Sequence, residues 1–293
     1  MEELSEGENV VLGVTSASLV AVTLQPTLYW KNAAAQGLPF TLRPSVLFRG
    51  CGVNLIKESS EMALQFAAAG RMKSGGTEAS VSASREMAGA IGGGAFGALL
   101  VTPLECIMIR QQLHGTSLFA TPARIARDFG VLTSGLYRGL GVAAGRDAIY
   151  VGGMLGLTPV VRRLLINEQG MHPTTAGLFA SALGGIAGGV LSHPWDVIKT
   201  CMQADLERTK HGSASQTLRN LLTEGGLAAL FRGVGWRTLN ITLTVFIAGE
   251  VCANLPKYLL RFTRGDRDGQ PDCDVQHAAH DAAFIPGRQD KTS

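Results

Sequence analysis

The chain has 293 residues, a net charge of +3 and only 17% charged residues, against roughly 25% in soluble domains. So small a positive balance, with no basic stripe interleaved with aromatics, gives no argument for nucleic acid, and none is expected as a partner. Cys51, Cys106, Cys201, Cys252 and Cys273 are scattered without Cys-x-x-Cys spacing, which excludes a disulfide framework and a thiolate metal centre.

The first residues carry Glu2, Glu3, Glu6 and Glu8 and no base, the opposite of a signal or transit peptide, so residues 1–9 read as an acidic tail and any address is expected to be internal. Residues 10–30 form a first apolar helix with Gly13, Ala17 and Ala21 on one face. The connection 31–49 holds Lys31, Arg43 and Arg49 and no acid, and a second helix follows from about 51 to 70. The polar stretch 71–84 reads as a linker. A third helix starts near Arg85, repeats glycine at Gly89, Gly93 and Gly97, and is expected to end at Pro103. After a polar connection over 110–138, residues 140–161 give a fourth helix. His172-Pro173-Thr174 opens a fifth, which carries Gly184 and Gly188 and is again expected to stop at its proline, Pro194. A sixth helix runs from about 234 to 260, and the Asp-, Gly- and Gln-rich stretch from Arg264 onward reads as a disordered tail. No run of eighteen uninterrupted apolar residues occurs, yet glycine-rich helices span membranes when they pack on one another around a wet cavity.

The elements repeat. Pro26, Pro103 and Pro194 each close a small-residue segment and are expected to kink it. Two residues on stand Leu28, Glu105 and Asp196; five residues on stand Lys31, Met108 and Lys199. Each polar connection then ends in an aromatic-Arg-Gly triplet: Phe48-Arg49-Gly50, Tyr137-Arg138-Gly139 and Phe231-Arg232-Gly233. Gly93 and Gly97 precede Pro103 by the same 10 and 6 positions as Gly184 and Gly188 precede Pro194. A threefold signal of this kind outranks local propensity. The connections 31–49, 108–138 and 199–232 hold 12 bases against 4 acids, which under the positive-inside tendency puts all three on one side.

These motifs resemble those of the mitochondrial carrier family, whose pattern is Pro-x-[Asp/Glu]-x-x-[Lys/Arg] followed by aromatic-[Lys/Arg]-Gly, three times, and the match runs over about residues 10–262. The resemblance implies an all-α membrane protein: six transmembrane helices in three tandem repeats (10–78, 79–168 and 169–263) around a central cavity, with 264–293 as the tail. It further implies a multi-pass monomer of the mitochondrial inner membrane, both termini toward the intermembrane space, cardiolipin among its lipids, and transport of a small metabolite by alternating access. No nucleophile–base set, metal spacing or phosphate loop appears, so neither an enzyme nor a cofactor or metal is expected.

The resemblance also implies a gate on the matrix side, in which each acid meets the base of the next repeat. Glu105 would face Lys199, Asp196 would face Lys31, and Leu28 would face Met108, giving two ion pairs and one apolar contact; Gln112 and Gln203 match the bracing position. Both losses fall on one pair, so no gate charge is left alone. The acid–base motif of the opposite gate is missing from 68–73, 157–162 and 251–255. Counted from each triplet glycine, position seven is Lys57, Arg146 and Asn240, position eight is Glu58, Asp147 and Ile241, and position eleven is Glu61, Tyr150 and Thr244. By resemblance this face contacts substrate, and its two signs suit a zwitterion such as an amino acid or a related carboxylate. Two other readings stay open: that these charges only pair with one another, and that the chain is a carrier-like scaffold or insertase that no longer transports. Trp236 and Arg237 are read as an anchor at the start of the sixth helix.

Overall fold

The computed structural model describes residues 6–61, 83–132 and 134–264, and among these every regular element is helical. In chain order they are α1 (Glu6–Thr23), α2 (Gln25–Ala35), α3 (Pro44–Leu47), α4 (51–61), α5 (Ala83–His114), α6 (Ala120–Phe129), α7 (Leu140–Asn167), α8 (Pro173–Ala204), α9 (Ala214–Ala229) and α10 (Val234–Arg264). The linker expected at 71–84 lies outside the described residues up to position 82, as do the second helix beyond 61 and the tail from 265.

The prolines behave differently from the sequence expectation. Pro103 and Pro194 lie inside α5 and α8, which run on to His114 and Ala204. A proline forfeits one backbone hydrogen bond and bends the helix, but the turns beyond it close normally where tertiary contacts hold them. Pro26 does mark a break: α1 and α2 meet at Leu24 with a bend of 58°. Pro159, within α7, is a further interior proline. The polar connections also hold structure, since α6 and α9 form within them. Ser213 caps α9 by accepting from the Gln216 amide, a Ser-x-x-Gln capping sequence.

Helices α7 and α8 have the length and apolarity to cross a membrane, and the bent pair α1–α2 passes the same test as one span. α8 packs between α7 and α10, α10 packs on α1 and α2, and α5 packs on α7. Glycine makes the α8 contacts possible. A Cβ on Gly188 would stand 2.6 Å from the Tyr150 carbonyl oxygen and one on Gly184 would meet Thr158 and the Met154 carbonyl, so α7 lies directly on that face. Gly185 and Gly189 face Ile241 of α10 in the same way, at 2.9 and 2.6 Å. Gly13, Ala17 and Ala21 are buried on α1. Gly97 of α5, by contrast, meets no described atom within 4 Å.

The triplets share one arrangement. Gly50, Gly139 and Gly233 all have left-handed backbones, with φ of +78°, +78° and +85°. Gly50 lies against Met108, Gly139 against Lys199 and Gly233 against Lys31, so each triplet glycine touches the residue five beyond the proline of another repeat. The triplet arginines follow suit: Arg138 donates to the Met202 carbonyl in the last turn of α8 and to the His211 carbonyl in the connection beyond it, while Arg49 abuts Gly115 after α5 and Arg232 abuts Gly37 after α2. Cationic side chains at helix C-termini neutralise the orphan carbonyls and the negative end of the macrodipole.

Beyond α8 the chain turns on Asp205, whose carboxylate accepts the Thr209, Lys210 and His211 amides and the Thr209 hydroxyl at 2.7–3.2 Å. Burial pulls the carboxyl upward, but these donors outweigh it and hold it down at about 2. A depressed folded value contributes stability that is present above the unfolded carboxyl range near 4 and lost as pH falls through about 2. Asp205→Ala should therefore lower Tm at pH 7, by on the order of 1–2 kcal/mol of stability, and the gap to wild type should close in an acid titration from pH 5 to pH 2. A gap independent of pH would show that the turn does not depend on the carboxylate charge.

A buried ion-pair cluster beside a cavity

One turn past their prolines, α2, α5 and α8 bring their charges together. Lys199 donates to Glu105 at 2.7 Å and Lys31 to Asp196 at 2.8 Å. Asp196 and Lys199 are each 2% exposed at the side chain, so neither charge is shared with water. Leu28 packs with the buried group around Met108, Ile107 and Val53. Taking four charges out of water is costly, and only dense pairing offsets it.

The pairing goes beyond these two bridges. Arg146 of α7 reaches Glu105 at 2.9 Å, Asp196 at 3.3 Å and its neighbour Asp147 at 2.6 Å. Arg237 of α10 reaches Asp196 at 3.0 Å and donates to the Ser192 hydroxyl at 2.9 Å, with its guanidinium 6.0 Å from the centre of the Tyr150 ring. Asp196 thus holds four cations: Lys31, Lys199, Arg146 and Arg237. Arg237, read from the sequence as an anchor, is corrected to a member of this cluster. Its neighbour Trp236 packs on Trp30 with ring centres 4.6 Å apart and planes tilted by 41°, and does tie α10 to α2.

Beside the cluster lies a cavity of about 200 Å³, lined among others by Leu28, Asn54, Glu58, Tyr150, Asn240 and Thr244. Of the seven residues assigned to a substrate face, Glu58, Tyr150 and Asn240 line it. Lys57 does not; it pairs with Glu58 at 2.6 Å. Glu61 stands one turn further along α4, partly buried. Arg146 and Asp147 are in the cluster and not on the cavity wall. Asn240 donates to the Thr27 hydroxyl at 2.7 Å, bridging α10 to the α1–α2 bend. The wall therefore combines one acid, Glu58, and the neutral polar groups of Asn54, Tyr150, Asn240 and Thr244 with apolar side chains, and Tyr150 links it to the cluster through its contact with Arg237.

The glutamines at the bracing position reach other partners. Gln112 accepts from Asn32 at 2.8 Å, and Gln203 donates to the Arg138 carbonyl at 3.2 Å. Both are buried, and they tie α2 to α5 and α8 to the second triplet without contacting the ion pairs. Asn32 and Asn54 escaped the sequence reading. Asn54 and Arg237 both stand four residues after a triplet glycine, one turn before the register that was compared, so extending that register would have found them.

A family model described as mitochondrial carrier protein matches residues 78–169 and 170–258. The chain belongs to the mitochondrial carrier family. Residues 1–77, where Leu28 stands two positions beyond Pro26, lie outside the matched residues. Among curated family members, the chain is similar to a mitochondrial glycine transporter of Aspergillus fumigatus, 32% identical over 47% of this chain and 45% of the relative. It is 32% identical to the mitochondrial arginine transporter BAC2 of Arabidopsis thaliana over 56% of each chain. It is 29% identical to the mitochondrial 2-oxodicarboxylate carrier 1 of Saccharomyces cerevisiae over 50% of this chain and 49% of the relative. The chain thus spans about half the length of the curated relatives it matches.

Proposed function

We propose that this chain moves a small metabolite, an amino acid or related carboxylate, across the mitochondrial inner membrane by alternating access. The observation that carries the reading is a cavity of mixed polar and apolar lining near a buried, multiply paired ion cluster, the two linked by Tyr150, which lines the cavity and lies against Arg237. Such pairs are strong enough to hold a closed state yet can exchange partners when a charged ligand arrives. In this reading the chain forms six tilted helices in three repeats, 10–78, 79–168 and 169–263, and the contacts of Gly50, Gly139 and Gly233 with Met108, Lys199 and Lys31 support that threefold plan. Glu105–Lys199, Asp196–Lys31 and the Leu28–Met108 contact act as the matrix-side gate. Lys57, Glu58, Glu61, Arg146, Asp147, Tyr150 and Asn240 form the substrate face. The chain works as a monomer in a cardiolipin-containing bilayer, with both termini toward the intermembrane space.

The substrates in the names of the similar relatives, glycine, arginine and 2-oxodicarboxylates, share a carboxylate. The test is uptake of labelled glycine, arginine and 2-oxoglutarate into liposomes containing the purified protein. Saturable uptake of at least one is expected, with Lys57→Ala lowering it about tenfold or more while Tm is retained, a loss of roughly 1.4 kcal/mol or more. A folded protein that moves none of the three would overturn this reading in favour of a membrane scaffold.

A further inference from the structure

The α1–α2 bend and the cavity share two asparagines. The Arg49 carbonyl can only accept, so Gln25 meets it with Nε2 at 3.0 Å and turns Oε1 to Asn54. Asn54 must then present Nδ2, which reaches Gln25 Oε1 at 3.2 Å and the Ala21 carbonyl at 3.4 Å. Its Oδ1 is buried without a hydrogen-bond partner among the described residues, and Asn54, 3% exposed, lines the cavity. Asn240 is fixed in the same way. The Thr27 hydroxyl gives its hydrogen to the Leu24 carbonyl at 2.7 Å, so it can only accept from Asn240 Nδ2, also at 2.7 Å. Both amides commit their donors to the bend and keep their acceptor oxygens for the wall. Glu58, one helical turn from Asn54 on α4, adds a carboxylate whose Oε1 is held by Lys57 at 2.6 Å. Among the described residues the lining holds no lysine, arginine or histidine.

We propose that Asn54, Glu58 and Asn240 form an ammonium subsite beside the α1–α2 bend, so that this chain takes small substrates bearing a protonated amine over amine-free oxoacids. This rests on the transport reading above and narrows its substrate class to amino acids. A primary ammonium brings three donors and no acceptor, which matches one carboxylate and two amide oxygens. A carboxylate ligand would bring further acceptors to oxygens that have no hydrogen to give. The hydroxyls of Tyr150 and Thr244 can donate to it but carry no charge to balance it, and an unbalanced charge out of water is costly. Glu58 has lone pairs for several donors, so it can take a second ammonium while Lys57 keeps the carboxylate in place. A ligand donor on Asn54 Oδ1 also removes the cost of a buried acceptor without a partner. Because the asparagine donors stay on the bend, the ligand adds to this network and does not compete with it.

The test measures uptake of labelled arginine, glycine and 2-oxoglutarate into liposomes containing the purified protein, with thermal shifts in detergent as a separate readout of binding. Agmatine, which is arginine without its carboxylate, serves as the amine-only probe. The better of the two amino acids should enter about tenfold faster than 2-oxoglutarate or more. Arginine and agmatine should raise Tm where 2-oxoglutarate does not. Glu58→Gln should raise KM for the transported amino acid by about tenfold or more, and Glu58→Asp, which keeps the charge, should recover part of this. Asn54→Leu, which leaves the Lys57–Glu58 pair in place, should raise the same KM several-fold. Should these variants fail to fold, the wild-type uptake ratio and the agmatine shift decide. Uptake of 2-oxoglutarate equal to that of the better amino acid, or a KM indifferent to both Glu58 and Asn54, overturns the subsite and leaves the transport reading standing. Absence of all uptake sinks the transport reading; a shift with agmatine then still supports the subsite, and no shift overturns it.

Discussion

Glu105→Ala is expected to destabilise the folded protein by about 3–5 kcal/mol. Glu105 is 5% exposed and accepts from Lys199 on one oxygen and from Arg146 on the other. Removing it leaves two buried cations sharing the acids that remain, Asp196 and Asp147, with Lys31 and Arg237 already on Asp196. The cost comes mostly from the stranded charges and less from the lost contacts, and this distinction can be measured. Lys199→Met added to Glu105→Ala removes one stranded ammonium and should recover part of the loss, so the double variant is expected to be more stable than Glu105→Ala alone. A double-mutant cycle on Tm and denaturant midpoint gives the coupling directly. A single variant within 1 kcal/mol of wild type would show that the cluster is already hydrated and that the pairs contribute little.

That cluster was partly legible in the sequence. The prolines are followed by an acid two residues on in two cases, Glu105 and Asp196, and by a base five residues on in two, Lys31 and Lys199, and the resemblance supplied which acid meets which base. The resemblance also set Leu28 against Met108, and because both losses fall on that one pair no gate charge is left alone. Three features were not legible. The helices continue through Pro103 and Pro194, because a proline's local cost is offset by packing on neighbouring helices, which the sequence does not display. The partners of Gln112 and Gln203 depend on Asn32 and on the Arg138 carbonyl, contacts across 80 and 65 positions of sequence. The reach of Arg146 into the cluster depends on side-chain direction along α7: the register shows that Arg146 shares a face with Tyr150, but not that one guanidinium nitrogen extends to both Glu105 and Asp196. Arg237 falls between these cases: four residues after Gly233, it stands one helical turn before the compared face, but its partners lie on other helices.

Gly233→Ala is expected to be the most damaging of the three triplet-glycine substitutions, by about 2–5 kcal/mol. All three glycines have φ near +80°, a conformation that costs an L-residue roughly 1–2 kcal/mol. What distinguishes them is the space around the added methyl. At Gly233 it would stand 2.9 Å from the Lys31 carbonyl oxygen and 3.2 Å from the Ala34 Cβ, atoms fixed by the α2 backbone. At Gly50 it would meet the Met108 Cγ at 3.1 Å and carbonyl oxygen at 3.2 Å, so only one of the two neighbours can yield by rotating. At Gly139 the nearest atom is the Lys199 Cγ at 3.5 Å, an ordinary contact. The expected order of Tm loss is therefore Gly233→Ala, then Gly50→Ala, then Gly139→Ala, the last limited to the backbone cost. Because α2 must shift to admit the methyl at 233, that variant should also weaken the Lys31–Asp196 bridge at 2.8 Å, and adding Lys31→Met to it should cost less than Lys31→Met costs in wild type. Equal losses at the three sites would show that backbone strain alone sets the penalty and that the close approach of α10 to α2 does not.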